Sequence, residues 1–349
     1  MESTLELGLL YAVVALGVYL TFRVLDFPDL TVDGSFTTGG AVAAWMIAGG
    51  INPVVATLSG AAAGALAGCV TGLLYTKGKI DGLLAGILTM IALWSINLHI
   101  MGKSNVPLLR AETLFTPLAD AKIFHTWTSG LIILAGVIVL KLLIDWFLST
   151  DIGLAIQATG NNEQMIRSFG VNTDGTTILT LAMSNALVAA GGALIAQYNG
   201  YADISMGVGL ILIGLASVII GQAIFGTGNV FLASLGVVVG AVIYRFVIYF
   251  ALQANLDPND VKIISAIIVV LALLLPRWSV FRKLQRKRVV PATPSHMLAV
   301  PDDEGASMAA ERGHTVGIDL PELDEDGHAV GPAGATRGGS AAATTQEGR

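Results

Sequence analysis

A short polar stretch interrupts the apolar N-terminal part of the chain and is the first candidate for binding a polar solute. Within DFPDLTVDGSF, four polar residues follow Pro28 at alternate positions: Asp29, Thr31, Asp33 and Ser35. Such residues cannot face lipid, so their backbone must be buried in protein, line a watery cavity or lie in cytoplasmic water. Two interpretations stay open: an unwound segment beside a translocation pathway, and a plain cytoplasmic loop.

Four more polar side chains lie within or at the ends of long apolar runs: Asn97, Asn185, Gln197 and Arg245. An ionisable group inside a membrane span is a functional candidate by default, because its charge is costly to bury in lipid. Arg245 could equally be paired structurally or reach toward the outer face. Each side-chain amide could form a hydrogen bond between helices rather than contact a ligand. We treat the four as further pathway candidates.

The longest internal polar loop, residues 149–175, contains a candidate surface for another protein. Its sequence GNNEQMIRSFG predicts a short helix that Asn161 or Asn162 caps, with Glu163 in the first turn and Gly170 at the end. One apolar face of this helix would consist of Met165, Ile166 and Phe169. The helix could lie on the membrane surface without a partner, but it is well suited to fit a partner's groove.

The sequence offers little support for catalysis. Three of the five histidines lie near the C-terminus, no pair has metal-ligand spacing on a helix, and no GxSxG occurs. MGKS at 101–104 resembles the end of a phosphate-binding loop, but Asn97 occupies the position of the required first glycine and no strand precedes it. We therefore predict no enzymatic activity, no metal and no cofactor.

The composition indicates that membrane helices position these candidates. Hydrophobic residues make up 54% of the 349 residues, charged residues 13%, and mean hydropathy is +0.73. Soluble domains contain about 45–50% apolar and about 25% charged residues. A soluble oxidoreductase or a nucleic-acid binder is therefore disfavoured. A disulfide-stapled protein is disfavoured too, since Cys69 is the single cysteine.

Eight apolar runs are long enough to cross a bilayer, and a shorter run at 36–49 follows the polar stretch. The long runs are 5–24, 54–75, 82–101, 127–148, 176–198, 207–225, 230–253 and 261–276. Within the second, Gly60, Gly64, Gly68 and Gly72 recur every four residues and predict a face where another backbone approaches closely. The predicted fold is an all-α polytopic transmembrane helical bundle of eight or nine membrane segments, one of them broken or short.

The distribution of Lys and Arg predicts the orientation. With nine segments, Arg23, Lys77, Lys79, Arg167 and the basic run at 277–288 all fall on one side, which is the cytoplasm. The N-terminus then lies outside, and loop 102–126 is the exception, with three basic residues on the outer side. Residues 1–280 form the predicted membrane domain, and 281–349 a basic anchor followed by a disordered cytoplasmic C-terminal tail.

Several stretches together resemble a known family. DFPDLTVDGSFTTGGAVAA, the loop core GNNEQMIRSFGV and the span that follows it resemble permease subunits of ABC importers of the branched-chain amino acid and ribose type. KGKIDGLLAGILTMIALWSINLHIMGKSNVPLL and the YRFVIYFAL region are most similar to the tryptophan/tyrosine-type permease branch. The resemblance covers about residues 5–280, and the tail has no counterpart.

The resemblance implies a permease that dimerises, binds two ATP-binding cassette subunits and receives its solute from a substrate-binding protein. It assigns coupling to the ATPase to Asn161–Gly170, and it implies import of amino acids or related small polar solutes across a prokaryotic plasma membrane. Two alternatives remain. An ion-coupled secondary transporter would need no apolar-faced cytoplasmic helix. A membrane enzyme would need a polar catalytic cluster, which the sequence does not assemble.

Overall fold

A computed structural model describes residues 1–109, 111–124, 126–226, 228–253 and 261–274, and most of these residues are helical. The α-helices are α1 (Glu2–Tyr19), α2 (Thr31–Ala48), α3 (Pro53–Thr76), α4 (Gly82–Met101), α5 (Thr116–Asp120), α6 (Trp127–Leu148), α7 (Asp151–Asn161), α8 (Glu163–Ser168), α9 (Thr173–Asn199), α10 (Leu210–Phe225), α11 (Val230–Gln253) and α12 (Val261–Leu274). A π-helix, Leu20–Val24, extends α1. Two short strands, β1 (Asn105–Pro107) and β2 (Tyr201–Asp203), pair antiparallel.

The predicted all-α membrane bundle is confirmed. Each of the nine predicted segments corresponds to a helix, and the runs predicted for α4, α6 and α11 agree with the helix bounds residue for residue. Among the described residues, six helices are long and apolar enough to cross a membrane by themselves. The predicted basic anchor and tail, 281–349, lie outside the described residues.

Burial separates central helices from peripheral ones. The most apolar window of α1 and its π-helix is 78% buried within the chain, whereas that of α6 is 22% buried and that of α4 28%. α2 is also buried along most of its length, packed between α9, α3 and α4. The polar stretch therefore lies at the junction of the two most enclosed helices.

The predicted glycine face of α3 is confirmed as a close helix contact. A Cβ on Gly64 would lie 2.4 Å from the Asn185 carbonyl oxygen of α9, and one on Gly68 would lie 2.2 Å from that of Leu181. Atoms cannot approach so closely, so only glycine allows α3 and α9 to pack backbone to backbone. α9 is thereby fixed against α3 beside the polar stretch.

The connectivity defines two opposite ends of the bundle. β1 follows α4 and β2 follows α9, so the C-termini of these two helices meet at one end. α7 and α8 lie between the C-terminus of α6 and the N-terminus of α9, which places them at the other end. We call residues 151–170, which comprise α7, α8 and the two residues that follow, the coupling segment, after the role that the family resemblance implies for Asn161–Gly170.

Candidate functional site

The polar stretch is a true break between two helices. The π-helix ends at Val24, regular helix resumes only at Thr31, and Asp26 between them has a φ of +56°. Asp29 is fully buried, and its carboxylate accepts hydrogen bonds from the Thr31 amide at 2.8 Å and from Asn185 Nδ2 at 2.7 Å. Because Asn185 lies halfway along α9, the break is held deep in the bundle.

Two other predicted residues of this stretch face neighbouring helices. The Thr31 hydroxyl lies 2.7 Å from the Thr71 hydroxyl of α3. Ser35 is fully buried, and its hydroxyl has no hydrogen-bond partner among the described residues. A solvated loop would leave such side chains exposed. Within this chain Asp29 instead bonds to α9 and Thr31 to α3, and Ser35 is buried beside them without a polar partner among the described residues.

Asp33 has different surroundings. Its carboxylate accepts hydrogen bonds from two backbone amides at the start of α10, Gly209 at 2.9 Å and Ile211 at 2.8 Å. Orphan amides at a helix N-terminus favour a carboxylate, so Asp33 caps α10 from the first turn of α2. The turn before α10 also packs closely against the backbone of α2, since a Cβ on Gly207 would lie 2.0 Å from the Asp33 carbonyl oxygen.

A groove of 350 Å³ joins Asp33 to Asn97, although 64 residues separate them in sequence. Asn97 is 1% exposed; its Nδ2 donates a long 3.4 Å hydrogen bond to the Gly34 carbonyl, and its Oδ1 has no partner among the described residues. Met90, Ile91, Trp94 and Val208 supply an apolar wall. The groove thus combines oxygen acceptors with an apolar surface, which suits a solute that carries hydrogen-bond donors and an apolar part.

Gln197 and Arg245 do not reach this groove. The Gln197 amide accepts from the Leu114 amide at 3.1 Å and donates to the Thr57 hydroxyl at 2.7 Å, so it ties α9 to its neighbours beside a separate cavity of 470 Å³. The Arg245 guanidinium carbon lies 5.2 Å from the Tyr11 ring centroid, a cation–π contact between α11 and α1. Of the eight pathway candidates, the structure therefore brings four together in two pairs, Asp29 with Asn185 and Asp33 with Asn97.

Sequence analysis missed two buried charged clusters. Lys141 and Asp145 form an ion pair at 2.5 Å on α6, Ser234 of α11 donates to Asp145 at 2.6 Å, and Lys141 Nζ lies 3.0 Å from the Phe231 ring centroid. Opposite charges four residues apart inside an apolar run were the available signal. Glu6, fully buried in α1, accepts hydrogen bonds from Ser129 and Tyr198, and a carboxylate inside the first run could have revealed it.

At the opposite end from the strands, the short helix predicted in loop 149–175 is confirmed as α8. Of the two alternatives Asn162 is the cap: its side chain accepts from the Met165 amide at 2.9 Å, while Asn161 ends α7. Glu163 lies in the first turn, and Gly170 follows the helix with a φ of +86°. The preceding helix α7 was not predicted.

The apolar side of α8 is exposed while its polar side is fixed to the bundle. Met165 is 53% exposed and Phe169 74%, and Ile166 beside them is partly buried. Arg167 pairs with Glu163 and with Asp174 at 3.0 Å each and donates to the Thr173 hydroxyl at 2.7 Å. Asp174 also pairs with Lys77 of α3 at 3.2 Å. These contacts anchor α8 to α9 and α3, with Met165 and Phe169 facing outward.

Comparison with known proteins agrees with this architecture. The family model for the permease component of branched-chain amino acid transport systems matches residues 1–274. The tyrosine transport system permease protein of Clostridioides difficile is 40% identical over 289 residues, 83% of this chain and 95% of that protein. The ribose import permease protein of Escherichia coli K12 is 25% identical over 279 residues, 76% of this chain and 81% of that protein.

These matches cover the helices that form the groove and the coupling segment. A match over residues 1–274 spans all the described residues, and the tyrosine permease is similar over almost its full length. The protein is therefore membrane-embedded, and the chain belongs to the family of permease components of branched-chain amino acid transport systems.

Proposed function

We propose that this protein is the membrane-spanning permease subunit of an ATP-driven ABC importer for amino acids or related small polar solutes. It works without enzymatic activity of its own, because ATP hydrolysis belongs to a separate ATPase subunit. A substrate-binding protein delivers the solute, and two copies of the permease form the complex in a prokaryotic plasma membrane. Its N-terminus lies outside and its C-terminus in the cytoplasm, which places the coupling segment on the ATPase side.

The exposed apolar side of α8 is the observation that carries this proposal. Contact with water does not stabilise the two large exposed apolar side chains of α8, and the polar side of this helix is already bonded to the bundle. Burying each of the two side chains in a partner's groove would contribute roughly 1.5–3 kcal/mol. Asn161, Asn162, Glu163 and Gly170 shape and cap this surface; Met165, Ile166 and Phe169 make the contact.

The test is Phe169→Asp in the purified complex. We expect the variant to insert and fold normally, because Phe169 is 74% exposed, but to lose at least about tenfold in ATPase affinity, since each 1.4 kcal/mol is a factor of ten. Leu109→Asp is the matched control, because Leu109 is 85% exposed and lies just after β1, at the end of the bundle opposite α8. Normal ATPase binding and transport in Phe169→Asp would show that α8 is not the docking surface.

An uptake assay separates the proposal from an ion-coupled secondary transporter. Such a protein takes its energy from an ion gradient, so it would bind no ATPase through α8 and would accumulate solute without ATP. Uptake into ATP-loaded proteoliposomes, with and without an imposed ion gradient, distinguishes the two functions. Uptake that follows the gradient and ignores ATP would favour the secondary transporter.

For the pathway, the groove between Asp33 and Asn97 is the best-supported segment. The Asp33 carboxylate and the Asn97 amide oxygen, which has no partner among the described residues, are acceptors for an ammonium or hydroxyl group, and the apolar wall can contact a solute side chain. Similarity to a tyrosine permease supports an amino acid, and similarity to a ribose permease keeps sugars as the competing class. Uptake of labelled tyrosine against labelled ribose, with the cognate binding protein, decides between them.

A further inference from the structure

The coupling segment touches the end of the π-helix directly, backbone against backbone. A Cβ on Gly160 of α7 would lie 2.1 Å from the Val24 carbonyl oxygen and 2.9 Å from the Leu25 Cα. Both neighbours are main-chain atoms, so no side-chain rotation can absorb a displacement of α7. Any movement of α7 toward the bundle must therefore move residues 24 and 25 as well.

The π-helix is a local departure from α-helical geometry at the end of α1. Leu25 donates its amide to the Leu20 carbonyl at 3.0 Å, which is the five-residue spacing of a π-helix, although LTFRV contains neither glycine nor proline. Single π turns inside α-helices hold one extra residue and are frequent at functional sites. Conversion to α-helix would remove that residue from the helix and displace the chain that follows.

Residues 25–33 connect this segment to the groove within a few residues. Phe27 donates its amide to the Thr21 carbonyl at 2.9 Å, Asp29 is bonded to Asn185, and Asp33 both caps α10 and lines the groove. On its other side Gly160 is close to α8, since Asn161 ends α7 and Asn162 caps α8. One continuous set of contacts therefore runs from the exposed face of α8 to Asp33.

We propose that Gly160 is a positioning residue that transmits movement of the coupling segment to the π-helix, and through it to the broken segment and the groove. This inference rests on the proposed function, in which an ATPase moves α8. The π-helix is the element that changes between π-helical and α-helical geometry, and Gly160 makes the contact through which a movement driven by the ATPase reaches it.

Gly160→Ala in the complete reconstituted complex tests the inference. A methyl group at this position forces α7 away from Val24, so the ATPase should still bind and hydrolyse ATP while solute transported per ATP falls by about fivefold or more, the lower end of coupling between linked sites. Gly136→Ala on α6 is the matched control, because a Cβ there meets no atom within 4 Å. Wild-type transport per ATP in Gly160→Ala would overturn the inference.

A second measurement follows the π-helix itself and does not depend on Gly160→Ala folding. Arg23 is exposed on the π-helix, so Arg23→Cys in a Cys69→Ala background reports its environment through reaction with a water-soluble thiol reagent. We expect its reactivity to differ between the nucleotide-free and ATP-bound complexes of the permease that retains Gly160. Equal reactivity in all nucleotide states would refute the transmission path.

The two hypotheses fail in different ways. Should the wild-type permease bind no ATPase, the proposed function itself is wrong. Should the ATPase bind and drive transport while Gly160→Ala transports as Gly136→Ala does and Arg23→Cys reacts equally in all nucleotide states, only the transmission through the π-helix is wrong.

Discussion

The ion pair on α6 allows a sharp test of how this bundle tolerates buried charge. Lys141 is 3% exposed, and its ammonium contacts both the Asp145 carboxylate and the Phe231 ring. Lys141→Met would leave Asp145 with the Ser234 hydroxyl and with no ion-pair partner in the described part of the chain. Removing one partner of a buried pair costs about 3–5 kcal/mol, because the remaining charge is left uncompensated.

The double variant should be less damaging than the single one. Replacing a whole buried pair with apolar side chains of similar volume is often close to neutral, so Lys141→Met with Asp145→Leu should recover most of the loss. Thermal unfolding in detergent can be followed by dye labelling of Cys69, which is the single cysteine. At about 2–4 °C per kcal/mol, the single variant should lower the melting temperature by roughly 6–20 °C.

The contrast between single and double variants is what tests the reasoning. Ser234→Ala serves as a control for the hydrogen bond alone, with an expected cost of about 1.5–3 kcal/mol for a bond to a charged group. If Lys141→Met melts at the wild-type temperature, or the double variant melts lower than the single one, the pair does not stabilise the α6–α11 contact as a charged unit.

Two further predictions concern the groove and the tail. In a Cys69→Ala background, the reactivity of Asp33→Cys with a water-soluble thiol reagent should change with the nucleotide state of the complex. Ser35→Cys should stay unreactive because Ser35 is fully buried. High, constant labelling of Asp33→Cys would instead indicate an ordinary cytoplasmic surface. Truncation after Val290 retains the basic anchor and should leave uptake at the wild-type level, and lost uptake at normal expression would show that the tail is required.

The fold was predictable wherever a local sequence signal defines the structure. α4 and α6 are single apolar runs with capping residues at their starts, Asp81 and Thr126, so composition alone located them. The strand pair was not predictable, because it joins Val106 to Ala202 and nothing in either short segment indicates the other. The π-helix was also missed, since LTFRV continues the apolar pattern of α1 without a break signal.

The candidate site was likewise predictable only where its sequence signals are local. α8 was predicted in detail because caps, charges and the apolar face are all local, with spacings of three or four residues. The pairing of Asp29 with Asn185 was not predictable, because it depends on Gly64 and Gly68 allowing α9 to lie against α3. Sequence identified both side chains as polar candidates but could not distinguish a pathway contact from a contact between helices.

That distinction now has a physical basis within the polar stretch. The Asp29 carboxylate is enclosed and bonded to α9, so its contribution is to hold the break in place. Asp33 lies four residues further on, in the first turn of α2, where it is bonded to the start of α10 and lines the groove. In the transmission that we propose for Gly160, the Asp29–Asn185 bond is therefore the expected pivot, and the contact of Asp33 with α10 is the one expected to change when Val24 moves.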